Sequence, residues 1–274
     1  MLSHQGLVRH GNEDACAAAP EIGAFIVCDG MGGAAAGEVA SQLAAEAFLA
    51  HLNASAAQPD PPKPQARINA AVDAANQAVF HKSRNSSQHS GMGTTLVSIL
   101  HVPMSGESVP SVPIDSSPET SVLIRPAPPS LWLAHVGDSR CYRLRARSLT
   151  QLTDDHSLVE EQLRAGQITA AEAALSPMRN LITRAVGSLP QVETEIQSHR
   201  PQPGDIYLLA SDGLTRELSD NEIAMLLDQI PSPATQPYLA AACESLIKAA
   251  NHNGGHDNIT VLLVAFPKPN PSQN

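Results

Sequence analysis

Four apolar runs in this chain meet an aspartate beside glycine or asparagine, in "FIVCDGMGG", "LWLAHVGDSR", "DIYLLASDGLT" and "GGHDNITVLLV". Each run has the length of a buried strand, so Asp29, Asp138, Asp212 and Asp257 mark strand–turn junctions. One aspartate in such a place is ordinarily a turn or cap residue. Four in matching contexts constrain the fold much more. If the strand ends converge, like charges gather, and they cannot all stay ionised without a cation. Hard divalent ions such as Mg²⁺ and Mn²⁺ take oxygen ligands, which carboxylates supply. The stretch "RHGNEDA" adds Glu13 and Asp14. Gly30, Gly32 and Gly33 let the first turn bend tightly and approach a ligand closely.

The segments between these runs set the architecture. Glu38 to Leu52 reads as a helix, stopped by the proline-rich linker "SAAQPDPPKPQ". Ile68, Val72, Ala75 and Val79 recur at helical spacing and predict one apolar face. "TTLVSILHV" and "NITVLLVAF" read as strands, and "CYRLRARSLTQLT" as a hairpin. Ser157 to Ser176 reads as a short helix plus a mobile segment, and Ser219 with Glu222 forms a capping box. Pro237 to His252 is a further helix. Strands and helices do not alternate regularly, which predicts antiparallel sheets with helices packed outside. A Pro/Ser-rich stretch at 103–130 reads as a disordered insertion in a strand connection rather than a domain boundary.

Composition removes several function classes. A net charge of −10 argues against a general nucleic-acid or anionic-membrane binder, and any phosphoryl substrate would need local positive charge or metal ions. No apolar run is long enough to span a bilayer, and the N-terminal stretch has no apolar signal region. Cys16, Cys28, Cys141 and Cys243 lack metal-ligand spacing and read as reduced thiols, which points to the cytoplasm.

The ordered set "GLVRHGNEDA", "DGMGG", "GMGTTL", "VGDSRCYRL", "LTDDHSLVEEQLRAGQIT", "RNLITRAVGS", "GDIYLLASDGLT" and "DNITVLLV" resembles the metal-dependent protein phosphatases (protein phosphatase type 2C), bacterial branch. The resemblance runs from Gly6 to Phe266 and breaks only at the Pro-rich segments. It implies an α/β/β/α sandwich of two antiparallel sheets flanked by helices. A single catalytic domain would fill residues 1–274, with the insertion at 103–130 and a Pro-rich tail at 267–274. The implied activity is hydrolysis of phosphoserine and phosphothreonine in proteins by a metal-bridging hydroxide, opposing a bacterial serine/threonine kinase. Asp29 would bridge two Mn²⁺ or Mg²⁺ ions, with the Gly30 carbonyl, Asp212 and Asp257 as further ligands. Glu13 and Asp14 would hold metal-bound waters, Asp138 would help Asp212 bind a third, weaker ion, and Arg9 would grip the phosphate. The protein is expected to act as a monomer.

The chemistry fits those residue types independently. Two close cations can lower the pKa of a shared water and neutralise phosphoryl oxygens, and in-line attack then needs positioning more than covalent help. A guanidinium grips two phosphate oxygens in a fixed geometry. Arg9 could instead be a surface ion-pair residue, but it lies three residues before Asn12-Glu13-Asp14. Relatives in animals carry histidine where this chain has Met31, so that candidate acid is missing. His156 in "DDHS" reads as a structural histidine. Cys141 and Arg147 have the spacing of cysteine-dependent phosphatases, yet no glycine lies between them to cradle a phosphate, so Cys141 reads as structural. Two rivals stay open: a catalytically silent phosphoprotein-binding module, and a small-molecule phosphoesterase using the same metals.

Overall fold

In the computed structural model, which describes residues 1–102 and 130–266, two antiparallel sheets stack face to face. The first holds β1 (Leu2–His4), β7 (Arg140–Arg145), β8 (Ser148–Gln151), β10 (Ile206–Ala210) and β11 (Ile259–Ala265), in the order β1-β11-β10-β7-β8. The second holds β2 (Asp14–Ala19), β3 (Ala24–Met31), β5 (Leu96–His101), β6 (Leu131–Val136) and β9 (Glu195–His199), in that order, with the short β4 (Gly93–Thr94) on β3. Two long helices, α1 (Ala34–Ala56) and α2 (Pro64–Asn85), cover the second sheet. On the first sheet lie α6 (Asp220–Leu227) and α7 (Gln236–His252). The α/β/β/α sandwich is thus the observed architecture.

The side-chain period of a strand explains why the runs are apolar throughout. Successive residues point to opposite faces, and here both faces of both sheets are buried. Val27 and Leu209 point into the core between the sheets, with Ile99, Leu133 and Tyr207. Their neighbours Ile26 and Cys28 meet α1 and α2 through Ala40, Phe48, Ile68 and Val72. Leu208 and Ala210 meet α6 and α7 through Ile223, Leu227 and Leu246. Ala40 and Ala44 keep the inner face of α1 small, so the helix lies close to its sheet.

Most element boundaries follow the sequence, with three differences. α1 begins at Ala34, four residues before the expected Glu38, directly after Gly33. β3 continues past Asp29, because Gly30 and Met31 pair with β4. The expected single helix in 157–176 is two, α3 (Leu158–Arg164) and α4 (Ala170–Leu175). The second starts on a capping box of Thr169 and Glu172 that the sequence reading passed over. The chain opens on a short strand, β1, whose three residues pair with β11. The connection after α4 returns to the cleft as a flap that includes Asn180 and Ile182. A four-residue helix, α5 (Asp212–Thr215), follows β10 directly. The expected insertion, apart from Ser130, and the tail at 267–274 lie outside the described residues.

Candidate active site

The strand ends converge as expected. Asp14 opens β2 and lies opposite Asp29 in the register of β2 and β3. Asp138 follows β6 in the turn to β7, Asp212 opens α5 behind β10, and Asp257 precedes β11. Arg9, Glu13, Asp29, Gly30, Asp138, Asp212 and Asp257 line one cleft of about 340 Å³, together with Met31, Asn180 and Ile182. Asp14 is the exception: it is buried behind the cleft and accepts a hydrogen bond from Ser211 Oγ at 2.8 Å.

Hydrogen bonds hold the backbone at Asp29 and Glu13 and the carboxylate of Asp14. The Asp29 N–H donates to Thr95 Oγ1 (2.9 Å), and the Asp29 carbonyl accepts from the Thr95 N–H (2.8 Å) and Thr94 Oγ1 (2.9 Å). The two threonines of "GMGTTL" thus fix the backbone at Asp29. Ser211 Oγ, besides donating to Asp14, accepts from the Thr260 N–H at 2.9 Å, which ties β2, β10 and β11 together. Asn258 clamps the N-terminal loop: it accepts from the Glu13 N–H (2.8 Å) and donates to the Gly11 (2.8 Å) and Gln5 (2.9 Å) carbonyls. Gly30 leaves no room for a side chain. A Cβ there would run into the Gly37 carbonyl of α1 and lie 2.6 Å from the Glu13 carbonyl.

Burial and crowding raise the pKa values of Asp14, Asp29, Asp138 and Asp212. Burial pushes Asp29 well above the ordinary carboxylate range, and Asp14, Asp212, Asp138 and Asp257 add to it. Burial and then Asp138 push Asp212 up to about 8, and burial pushes Asp14 up to about 6. Burial raises Asp138 also, against the opposing pull of Arg216. Arg216 is the residue that sequence reasoning missed. Its guanidinium pairs with Asp212 one helical turn away, with Asp257 at 3.2 Å, and with Asp138 at 3.9 Å. The i, i+4 spacing in "DGLTR" was the available signal. Arg9 Nη2 donates to Asp257 Oδ2 at 2.8 Å.

The decoys resolve as read. Cys141 is fully buried between the sheets, and burial alone drives its thiol far above the ordinary value. Arg147 sits in the β7–β8 turn and pairs with Asp228. His156 is 1% exposed.

A family model described as protein phosphatase 2C matches residues 8–252. The chain belongs to the protein phosphatase 2C family. It is 39% identical over 263 residues to the serine/threonine protein phosphatase PstP of Mycobacterium tuberculosis, covering 95% of this chain but 43% of PstP. The chain thus spans less than half the length of that relative. The serine/threonine phosphatase Stp of Listeria monocytogenes is 33% identical over 269 residues, covering 95% of this chain and 92% of Stp. Among solved structures, the catalytic domain of PstP in complex with two manganese ions is similar, at a TM-score of 0.74 and 36% identity. That likeness covers 96% of this chain and 94% of the PstP domain. In this phosphatase 2C chain no described helix is long and apolar enough to cross a membrane.

Proposed function

We propose that the protein is a metal-dependent phosphatase acting on phosphoserine and phosphothreonine in proteins. The observation that carries the reading is the gathering of Glu13, Asp29, Asp138, Asp212 and Asp257 at one cleft, with Asp14 buried behind it and opposite Asp29. Within that set Asp14 Oδ1 and Asp212 Oδ1 are buried without a hydrogen-bond partner among the described residues. A buried acceptor left unpaired is costly, and a cation satisfies it. Arg216 already seats a positive group among Asp138, Asp212 and Asp257, so this donor set accommodates positive charge.

Asp29, the Gly30 carbonyl, Asp212 and Asp257 would hold two Mn²⁺ or Mg²⁺ ions, with Glu13 and Asp14 acting through water. Asp138 and Asp212 would take a third, weaker ion. When bound, the ions supply a lowered water pKa and neutralise phosphoryl oxygens. The chain's own groups do the rest. Arg9, at the cleft mouth, presents a planar fork to two phosphate oxygens. Thr94 and Thr95 keep Asp29 in place. Met31 lines the cleft but has no proton to give the departing alkoxide. The cleft adjoins a hollow of about 410 Å³ bordered by the flap and α3, which shares Asp138, Asn180, Asp212 and Arg216 with it. The enzyme would work in the cytoplasm as a monomer, against a bacterial serine/threonine kinase. The carboxylate set is complete, which disfavours a silent binding module.

Hydrolysis of a phosphothreonine peptide and of a sugar phosphate, each in Mn²⁺ and in chelator, tests the reading. Turnover of the peptide should require Mn²⁺, exceed that of the sugar phosphate, and vanish in Asp29→Asn while circular dichroism stays unchanged. Full activity in chelator, or preference for the sugar phosphate, would overturn it.

A further inference from the structure

His135, His156 and Glu195 place three donor atoms within 4.8 Å of one another, away from the carboxylate cleft. The spacing suits a metal ion, but the hydrogen bonds of the rings do not. His156 Nδ1 accepts from the Gly137 N–H at 3.1 Å, so in the neutral ring the hydrogen is on Nε2, facing Glu195 Oε2 at 3.6 Å. His135 Nε2 donates to the Asp154 carbonyl at 2.9 Å. Both Nε2 atoms carry hydrogen and His156 Nδ1 is engaged, so of the four ring nitrogens only His135 Nδ1 lacks a partner among the described residues, too few for an ion held by both rings. Burial, then His135 and Arg184, lower the His156 pKa to about 4, which keeps its ring neutral.

The same bonds give His156 a different task. Gly137, with φ +101°, is the left-handed hinge of the turn that carries Asp138, and a Cβ there would strike the Thr95 side chain at 2.7 Å. A glycine hinge is free to move unless its polar groups are held. His156 holds both: the ring accepts from the Gly137 N–H, and the His156 N–H donates to the Gly137 carbonyl at 3.0 Å. Its own carbonyl accepts from the Thr183 N–H at 2.8 Å, and the next residues bridge to the flap, Leu158 N–H donating to the Leu181 carbonyl at 2.9 Å. On the far side of the turn, Arg140 grips Asp155, the neighbour of His156, through three hydrogen bonds of 2.7–3.1 Å.

We propose that His156 is a positioning residue that fixes the Gly137–Asp138 turn through Nδ1, sets the affinity of the weak ion at Asp138, and fastens the turn to the flap. The ion-affinity part rests on the metal reading given above; the turn part does not.

Two isosteric substitutions separate positioning from packing. His156→Asn retains an acceptor where Nδ1 lies, and His156→Gln retains a donor where Nε2 lies but no acceptor toward Gly137. Both remove the stack on His135, whose ring centroid is 4.6 Å away. In ion-free protein, exchange of the Gly137 amide hydrogen, followed by NMR, should stay slow in His156→Asn. It should quicken about tenfold in His156→Gln, as expected for one lost hydrogen bond. Calorimetric titration with Mn²⁺ should show the weak ion bound about tenfold less tightly in His156→Gln. In His156→Asn it should bind within about twofold of wild type, and the tighter ions should be unchanged in both. Equal behaviour of the two variants, in exchange and in titration, would reduce His156 to packing and overturn the proposal. Asp138→Ala serves as the control. If the weak ion survives that change, the ligand reading of Asp138 is wrong, and the Gly137 exchange rates alone decide the role of His156.

Discussion

At the scale of single residues, Arg9 is where a surface role and a substrate role differ most in their consequences. Its side chain is 47% exposed and pairs with Asp257. An exposed pair of that kind contributes about 0–1 kcal/mol. A phosphate grip uses charge-assisted hydrogen bonds worth about 1.5–3 kcal/mol. If Arg9 grips phosphate, Arg9→Ala should lower kcat/KM by roughly tenfold to a hundredfold, more through KM than through kcat. Arg9→Lys should recover only part of the loss, since an ammonium keeps the charge but not the fork. Asp257 retains Arg216 as a partner in both variants. Steady-state kinetics on one phosphopeptide at saturating Mn²⁺ measure the effect, and an unchanged kcat/KM in Arg9→Ala would return Arg9 to the surface. Arg9 and the carboxylates were legible because each lies in a short motif of distinctive chemistry. Arg216 was not, since an arginine on a helix reads as solvated until the fold turns it inward.

Among the elements, two substitutions of similar cost should part company in activity. Ser219 caps α6: its N–H donates to Glu222 Oε2 at 2.8 Å, and its hydroxyl accepts from the Glu222 N–H at 3.4 Å. Ser219→Ala should destabilise the protein by about 1 kcal/mol and leave turnover unchanged, because α6 lies on the outer face of its sheet. Gly30→Ala should cost about 1–3 kcal/mol through forced overpacking. It should also abolish most activity, because the new methyl pushes apart β3, the start of α1 and the Glu13 backbone. Thermal melts and turnover of a small aryl phosphate check both. An active Gly30→Ala enzyme would mean that the strand and helix yield without disturbing the carboxylates. The extension of β3 through Met31 was hidden in the sequence for a related reason. Gly30 reads as a turn residue, and only the pairing of Gly30 with Thr94 and of Met31 with Gly93 makes this stretch strand.

Over the whole molecule, the buried carboxylates couple stability to pH and metal. Asp14 and Asp212 have folded pKa values raised to about 6 and about 8 from an ordinary 3.8, so the ion-free fold keeps protons that the unfolded chain releases. The stability this gives is complete below about pH 4 and is lost as pH rises through 6 and then 8. For Asp14 alone the loss is on the order of 3 kcal/mol. In chelator, the melting temperature should therefore fall by roughly 5–10 °C between about pH 5 and pH 8. Saturating Mn²⁺ should remove most of that fall, since an ion bound only by the folded state stabilises it. Calorimetry at the two pH values decides, and a flat profile in chelator would deny the crowding of ionisable groups. The sequence by itself determined the layers and the identity of the site's carboxylates, because strand period, helix period and short motifs are local properties of the chain. Only the tertiary structure decided that Asp14 sits behind the cleft, that Arg216 enters it, and that His156 grips the Asp138 turn. Those relations join residues up to about two hundred positions apart through single hydrogen bonds and ion pairs, such as Ser211 to Asp14, and no local pattern encodes which partner will be met.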